Sequence, residues 1–178
     1  MQDTLPIHFA PLQGYTEAIY RNAHDAFFGG VDTYYTPFVR LEKGNFRRRD
    51  VRGIEPENNG VPHLIPQLIA SSAEKAEVIL SLFIEKGYQE VDINLGCPFP
   101  LLAKRHNGSG ILPYPEEVKA LLSIVTRYPQ ISFSVKMRLG WEQPDECLAL
   151  APILNDLPLR QITMHPVSYT HLTLPTIA

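Results

Sequence analysis

Cysteine is scarce in this chain. Cys97 and Cys147 are the only two in 178 residues, too few for a disulfide framework or a four-cysteine zinc site, and typical of a reducing, cytoplasmic setting. Long apolar runs are missing as well. No stretch of about 18 apolar residues occurs, so no membrane-spanning helix is expected, and Met1 to Ala10 lacks the basic start and long apolar middle of a signal peptide. Positive charge is in deficit: 16 Lys and Arg against 19 Asp and Glu leave a net charge of -3, which argues against a free-standing nucleic-acid binder. Apolar residues, by contrast, make up 44% of the chain, which excludes intrinsic disorder and supplies a core without staples.

Sixteen prolines predict many loops. Between them, short apolar runs alternate with stretches of helical period. Strands are predicted at Ile7–Ala10, Asp32–Thr36, Leu64–Ile69 (interrupted by Pro66), Glu90–Leu95, Ile131–Met137 and Gln161–Met164. Helices are predicted after Thr16, with Ile19, Tyr20, Ala23 and Phe27 as the buried face; over Ala73–Lys86, capped by Ser72 and ended by Gly87; after Pro115, with Val118, Leu121, Leu122 and Val125 inward; and over Pro144–Leu154. Strand and helix alternate, which implies a parallel sheet with crossover helices. Pro11, Leu12, Gln13 and Gly14 occupy the place where a dinucleotide-binding sheet would have its glycine-rich phosphate turn. Gln67, Asn94, Lys136 and His165 fall at strand ends, which converge on one mouth in a barrel. The fold expected is therefore α/β, of the (β/α)8 TIM-barrel type, with about six of the eight units present.

The densest chemistry lies at Asn94-Leu95-Gly96-Cys97-Pro98, where a strand end delivers a thiol into a loop. Cys97 could act as a nucleophile or as an acid that gives a proton to carbon; the plainer reading is a buried structural cysteine. Cys147, mid-helix beside Leu148 and Leu150, reads as core. Lys136 ends an apolar strand next to Arg138, and two cations at one strand end suit an anionic ligand; a Schiff base or a snorkelling surface lysine are the alternatives. His165 could donate to a ligand or be a hydrogen-bonded core histidine. Gly108-Ser109-Gly110 is a weak phosphate signal and reads better as a flexible catalytic loop. Arg40 to Arg52 holds six cations and two anions, a local charge of +4, and reads equally as an RNA contact or a solvated loop.

Six motifs in this order, Ala10-Pro11-Leu12-Gln13-Gly14-Tyr15-Thr16, Pro66-Gln67-Leu68, Asn94-Leu95-Gly96-Cys97-Pro98, Gly108-Ser109-Gly110-Ile111-Leu112, Val135-Lys136-Met137-Arg138-Leu139-Gly140 and Met164-His165, resemble the tRNA-dihydrouridine synthase family from Pro6 to about Pro166. The resemblance implies a monomeric NAD(P)H-dependent flavin oxidoreductase on a barrel, with tRNA as partner and neither metal nor membrane. FMN, recharged by NADPH, would pass a hydride to carbon 6 of a uridine, and Cys97 would protonate carbon 5. Pro11, Leu12, Gln13, Gln67, Lys136 and His165 would hold the flavin; Asn94 and Arg138 would orient the uridine.

The pattern then stops. Val167 follows Pro166 where the family continues with an arginine-containing loop, and 167–178 read as an unrelated tail. Residues 1–166 would be the first part of the catalytic barrel, with the family's C-terminal helical tRNA-binding domain absent. The expectation is a truncated reading frame whose open sheet has two unpaired edges prone to aggregation, with poor FMN affinity and no activity of its own. Three other readings compete: an FMN barrel acting on a free pyrimidine or enone, a Schiff-base lyase using Lys136, and a non-catalytic RNA-binding fragment centred on Arg47 to Arg49.

Overall fold

The computed structural model describes residues 5–166; the tail at 167–178 lies outside the described residues. The elements run β1 (His8–Phe9), α1 (Ala18–Phe27), β2 (Thr33–Tyr35), β3 (Leu41–Glu42), β4 (Asn45–Phe46), α2 (Arg48–Ile54), β5 (Leu64–Ile65), β6 (Gln67–Leu68), α3 (Ala73–Glu85), β7 (Glu90–Leu95), α4 (Pro100–Ala103), α5 (Pro115–Leu122), α6 (Ile124–Arg127), β8 (Ser132–Arg138), α7 (Glu146–Asn155) and β9 (Gln161–His165). Apart from the β3–β4 hairpin, every pairing is parallel, and spatial order follows chain order: β1-β2-β5, then β6-β7-β8-β9.

That order separates the two candidate folds. A doubly wound sheet reverses its strand order at a switch point; here the strands step round in one direction, as in a (β/α)8 barrel. Pro66 splits the third predicted strand in two, since proline supplies no N–H to the ladder. The piece before it pairs with β2 and the piece after it with β7, while a Val39–Leu68 bridge carries the contact with the preceding unit past the break. Among the described residues six of the eight strands of a barrel are present, β1 and β9 are unpaired on their outer sides, and no closed barrel forms.

Strand alternation divides the labour. Val91, Ile93 and Leu95 of β7 and Phe133, Val135 and Met137 of β8 are buried in one core with Ile79, Leu80 and Phe83 of α3, Val118, Leu121 and Leu122 of α5, and Leu150 and Leu154 of α7. The intervening residues face the other way and are polar: Asp92 and Asn94 on β7, Ser134, Lys136 and Arg138 on β8. The parallel register sets Gln67 beside Asp92, Asp92 beside Ser134, Asn94 beside Lys136, and Arg138 beside His165. Ser72 caps α3 by accepting from Lys75 N, as its sequence predicts.

The first helix departs from expectation. Ile19 and Phe27, predicted to be buried, are each 84% exposed. The buried residues of α1 are Ala18 and Arg21. The Arg21 guanidinium donates to Thr16 O at 2.6 Å and Gly53 O at 2.8 Å, and burial pushes its pKa down to about 10. Thr16 does not cap the helix. Its Oγ1 accepts from Leu12 N at 2.8 Å and closes the Pro11–Gly14 turn. The helix is apolar along the face that its sequence period marks, but no described element covers that face. Among the described residues no helix is long and apolar enough to cross a membrane.

Candidate active site

The carboxyl ends of the strands surround a cavity of about 540 Å³. Its wall includes all nine residues singled out in the sequence: Pro11, Leu12 and Gln13 after β1, Gln67 on β6, Asn94 at the end of β7, Cys97 in the loop beyond it, Lys136 and Arg138 on β8, and His165 at the end of β9. Phe38, Pro98 and Met164 add apolar surface. The basic run does not reach this cavity apart from its effect on charge. It forms the β3–β4 hairpin and the start of α2, and Arg49 is tied to Glu17 at 2.6 Å. Among the described residues no group of three or more His, Cys, Asp and Glu could hold a metal ion.

A buried hydrogen-bond chain runs beneath the cavity. Ser134 Oγ and Gln67 Nε2 each donate to Asp92 at 2.6 Å. Asn94 Nδ2 donates to Gln67 Oε1 at 2.7 Å. Asn94 Oδ1 in turn accepts from Gly96 N at 3.0 Å and Cys97 N at 2.9 Å. One end of this chain is chemically fixed. A backbone N–H only donates, so Asn94 must accept with its oxygen, and each amide then has one orientation that satisfies its neighbours. Gln67 and Asn94 each retain a second N–H that the chain does not use. Asp92, 1% exposed, is the residue that sequence reasoning missed. Its signal was present in β7, where Glu90, Asp92 and Asn94 alternate with Val91, Ile93 and Leu95. Burial pushes the Asp92 carboxyl up, against the pull of Ser134, Gln67 and Lys136.

Cys97 is clamped by its backbone. Besides Asn94 at its N–H, its carbonyl accepts from Ser109 N at 3.0 Å and Ser109 Oγ at 2.9 Å. Arg138 Nε donates to the adjacent Gly96 O at 2.8 Å. The Gly108–Ile111 segment is a buried 3-10 turn, which corrects the flexible-loop reading. A Cβ on Gly108 would come within 2.6 Å of Cys97 O, and one on Gly110 would collide with Ala103 O, so the glycines are there for close approach. Burial pushes the Cys97 thiol up, outweighing the Phe99 N–H and the charges of Arg138, Arg40 and Lys136. The group is therefore a protonated thiol at neutral pH. Cys147 sits in the first turn of α7 rather than mid-helix, and packs half-buried against the main core.

The rest of the wall is rich in donors and cations. The Lys136 side chain makes no hydrogen bond or ion pair among the described residues; burial pushes its ammonium down, opposed chiefly by Asp92. Burial, then Arg138 and Lys136, push His165 down, so its imidazole is neutral at pH 7. One acceptor is orphaned: Gln13 Oε1 is buried with no partner among the described residues.

Two consequences can be measured. Asp92→Ala strands the Ser134 hydroxyl and a Gln67 N–H, and is expected to lower unfolding free energy by about 3 kcal/mol in urea titration; an unchanged midpoint would show that the chain has no structural weight. In a Cys147→Ser background, Cys97 alkylation by iodoacetamide should be slow at neutral pH and rise only above the range of an ordinary thiol, about 8.5. A rate plateau already reached at pH 7 would contradict the raised pKa.

Residues 8–169 match the family model described as Dihydrouridine synthase (Dus). Among curated relatives, the chain is 28% identical over 163 residues to "Probable tRNA-dihydrouridine synthase 1" of Synechocystis sp., covering 88% of this chain and 44% of the relative. It is 28% identical over 176 residues to "tRNA-dihydrouridine(16) synthase" of Haemophilus ducreyi, covering 89% and 51%. To "tRNA-dihydrouridine synthase B" of Klebsiella pneumoniae it is 29% identical over 100 residues, covering 56% and 31%. The chain thus spans about half the length of these relatives, or less. A family match over nearly all the described residues, joined to a parallel strand order and a cavity that gathers five of the six motifs, leaves one assignment: the chain belongs to the dihydrouridine synthase family.

Proposed function

We propose that this chain carries the catalytic part of a tRNA-dihydrouridine synthase, which reduces the C5–C6 double bond of uridines in tRNA with FMN, recharged by NADPH, in the cytoplasm. The observation that carries the reading is Cys97: a thiol held protonated, with its backbone clamped on both sides, on the wall of a cavity that it shares with Gln67, Asn94, Lys136, Arg138 and His165.

The cavity suits a flavin. Its volume lies within the range of ligand pockets, about 300–1,000 Å³. The unused N–H of Gln67 and the ammonium of Lys136 match a ring edged by nitrogen and oxygen acceptors. The orphaned Gln13 Oε1 matches a ring N–H, and Pro11, Leu12 and Met164 offer apolar contact to a flat face. Gln67, Lys136, His165 and the Pro11–Gln13 turn would hold the group. Bound and reduced, FMN supplies the hydride that reaches carbon 6.

The protein's own part is positioning and one proton. Asn94 and Arg138 orient the uracil, which must leave its stack to enter the cavity. The Cys97 S–H gives its proton to carbon 5, and solvent restores it to the thiolate that remains. A raised thiol pKa serves this role, because the acid must stay protonated until carbon takes the proton. Lys136 would steady negative charge on the bound cofactor.

The test is Cys97→Ala in the longest open reading frame that carries these residues, expressed in a strain lacking its own dihydrouridine synthases. Dihydrouridine formation in tRNA should fall about 100-fold or more, the ordinary worth of a positioned acid; wild-type content would remove the claim. In barrels of this type the cofactor phosphate is held by loops after the seventh and eighth strands, and the described residues include six. The 178-residue chain by itself is therefore expected to purify colourless and inactive. Yellow, flavin-loaded protein would overturn that expectation.

A further inference from the structure

A second hollow, of about 510 Å³, opens on the same face of the sheet. It is built from the β3–β4 hairpin, the segment leading into α3, and the stretch after Cys97. It is separated from the candidate active site by one layer of side chains: Phe38, Ile69 and Leu102 pack together, with Cys97 against them. Phe38 lines the active-site cavity, while Ile69 and Leu102 line the second hollow.

Its charge runs against that of the whole molecule. The chain carries -3, yet the hollow gathers Arg40, Lys43, Lys75 and Arg105 with a single carboxylate, Glu42. Glu42 is already shared between Arg40 at 3.5 Å and Arg47 at 3.9 Å. Among the described residues no carboxylate lies within ion-pair distance of Lys43, Lys75 or Arg105; Lys75 Nζ instead donates to Ser71 Oγ at 2.8 Å. Phe99 and Leu101 line the same hollow and are 50% and 65% exposed. Cations set among an exposed aromatic and aliphatic surface are the pattern that binds single-stranded nucleic acid, phosphates on the cations and a base on the ring.

We infer that this hollow is a subsite for the RNA strand next to the nucleotide that enters the active site, with Lys43, Lys75 and Arg105 on the phosphates and Phe99 under a flanking base. The inference rests on the proposed tRNA-directed function and adds to it the surface that grips the strand. It also relocates the RNA contact expected from the sequence. Arg47 and Arg49 of the basic run are engaged with Glu42 and Glu17, whereas Lys43 at the hairpin tip is joined by two cations distant in sequence.

The test uses the 178-residue chain and a short, uridine-containing, single-stranded RNA, with binding followed by fluorescence anisotropy over a range of salt. The triple variant Lys43→Ala, Lys75→Ala, Arg105→Ala should bind at least tenfold more weakly at low salt. Its slope of log affinity against log salt should be shallower by about 2, at about 0.7 per released counterion. Phe99→Ala should weaken binding about fivefold or more while leaving the slope unchanged, because stacking releases no counterions. Lys119→Ala, on α5 outside the hollow, should bind as wild type. Wild-type affinity and slope in the triple variant would overturn the inference, as would equal competition by polyglutamate, which would make the hollow a general polyanion surface. Failure here is distinguishable from failure of the functional reading. If Cys97→Ala abolishes dihydrouridine formation while the triple variant still binds RNA normally, the subsite falls and the enzyme reading stands; the reverse pair of results sinks the enzyme reading and keeps the subsite.

Discussion

A buried carboxylate organises the centre of this molecule. Asp92 has almost no contact with solvent and accepts from Ser134 on one neighbouring strand and Gln67 on the other, so it ties β6, β7 and β8 at a single point. Burying a charge is costly unless it is well paired, and burial does push the Asp92 carboxyl up. The chain has one direction. Because the backbone N–H groups of Gly96 and Cys97 only donate, the Asn94 oxygen accepts from them, Asn94 offers N–H to Gln67, and the Gln67 amide offers N–H to Asp92. The geometry of the reactive loop is therefore set at a distance from the thiol, in the interior of the sheet.

The same alternation makes the cavity possible. In β7 and β8 the apolar residues go to the helix-covered core and the polar residues to the opposite face. Parallel, sequentially ordered strands place those polar residues in adjacent rows and bring all the carboxyl ends to one side. Donors, cations and one protonated thiol then collect in a confined space. Burial lowers Lys136, Arg138 and His165 alike; the charge of Arg138 lowers Lys136 further, and both cations lower His165.

The legible part of the site was its chemistry-bearing residues at strand ends. Cys97, Asn94, Lys136 and His165 stood out because a reactive side chain closing an apolar run is out of place unless it faces a ligand or a buried partner. Pro11, Leu12, Gln13 and Arg138 were legible as cavity residues through the family's motifs. Asp92 was not, because an acidic residue inside a short strand looks like an ordinary solvent-facing position until the register shows what stands beside it. The glycines at 108 and 110 suggest mobility in the sequence, because small residues alone cannot show that the space they leave is filled by the backbone of Cys97 and Ala103. The face of α1 was misplaced for a related reason. Periodicity identifies which side of a helix is apolar, but burial needs a neighbour, and no described element lies over Ile19 and Phe27.

Local sequence by itself determined the α/β alternation, most of the helix and strand positions, the capping of α3, the break at Pro66 and which residues to look for around a cavity. These follow from period, turn chemistry and residue type, which act over a few neighbours. Only the tertiary structure decided that the strands run in sequential parallel order, that nine residues spread from position 11 to 165 line one cavity, that the Cys97 thiol is protonated, and that three cations far apart in the chain line a second hollow. Those outcomes depend on long-range register and on the loss of water around charged groups, and neither is encoded in any short stretch of the chain.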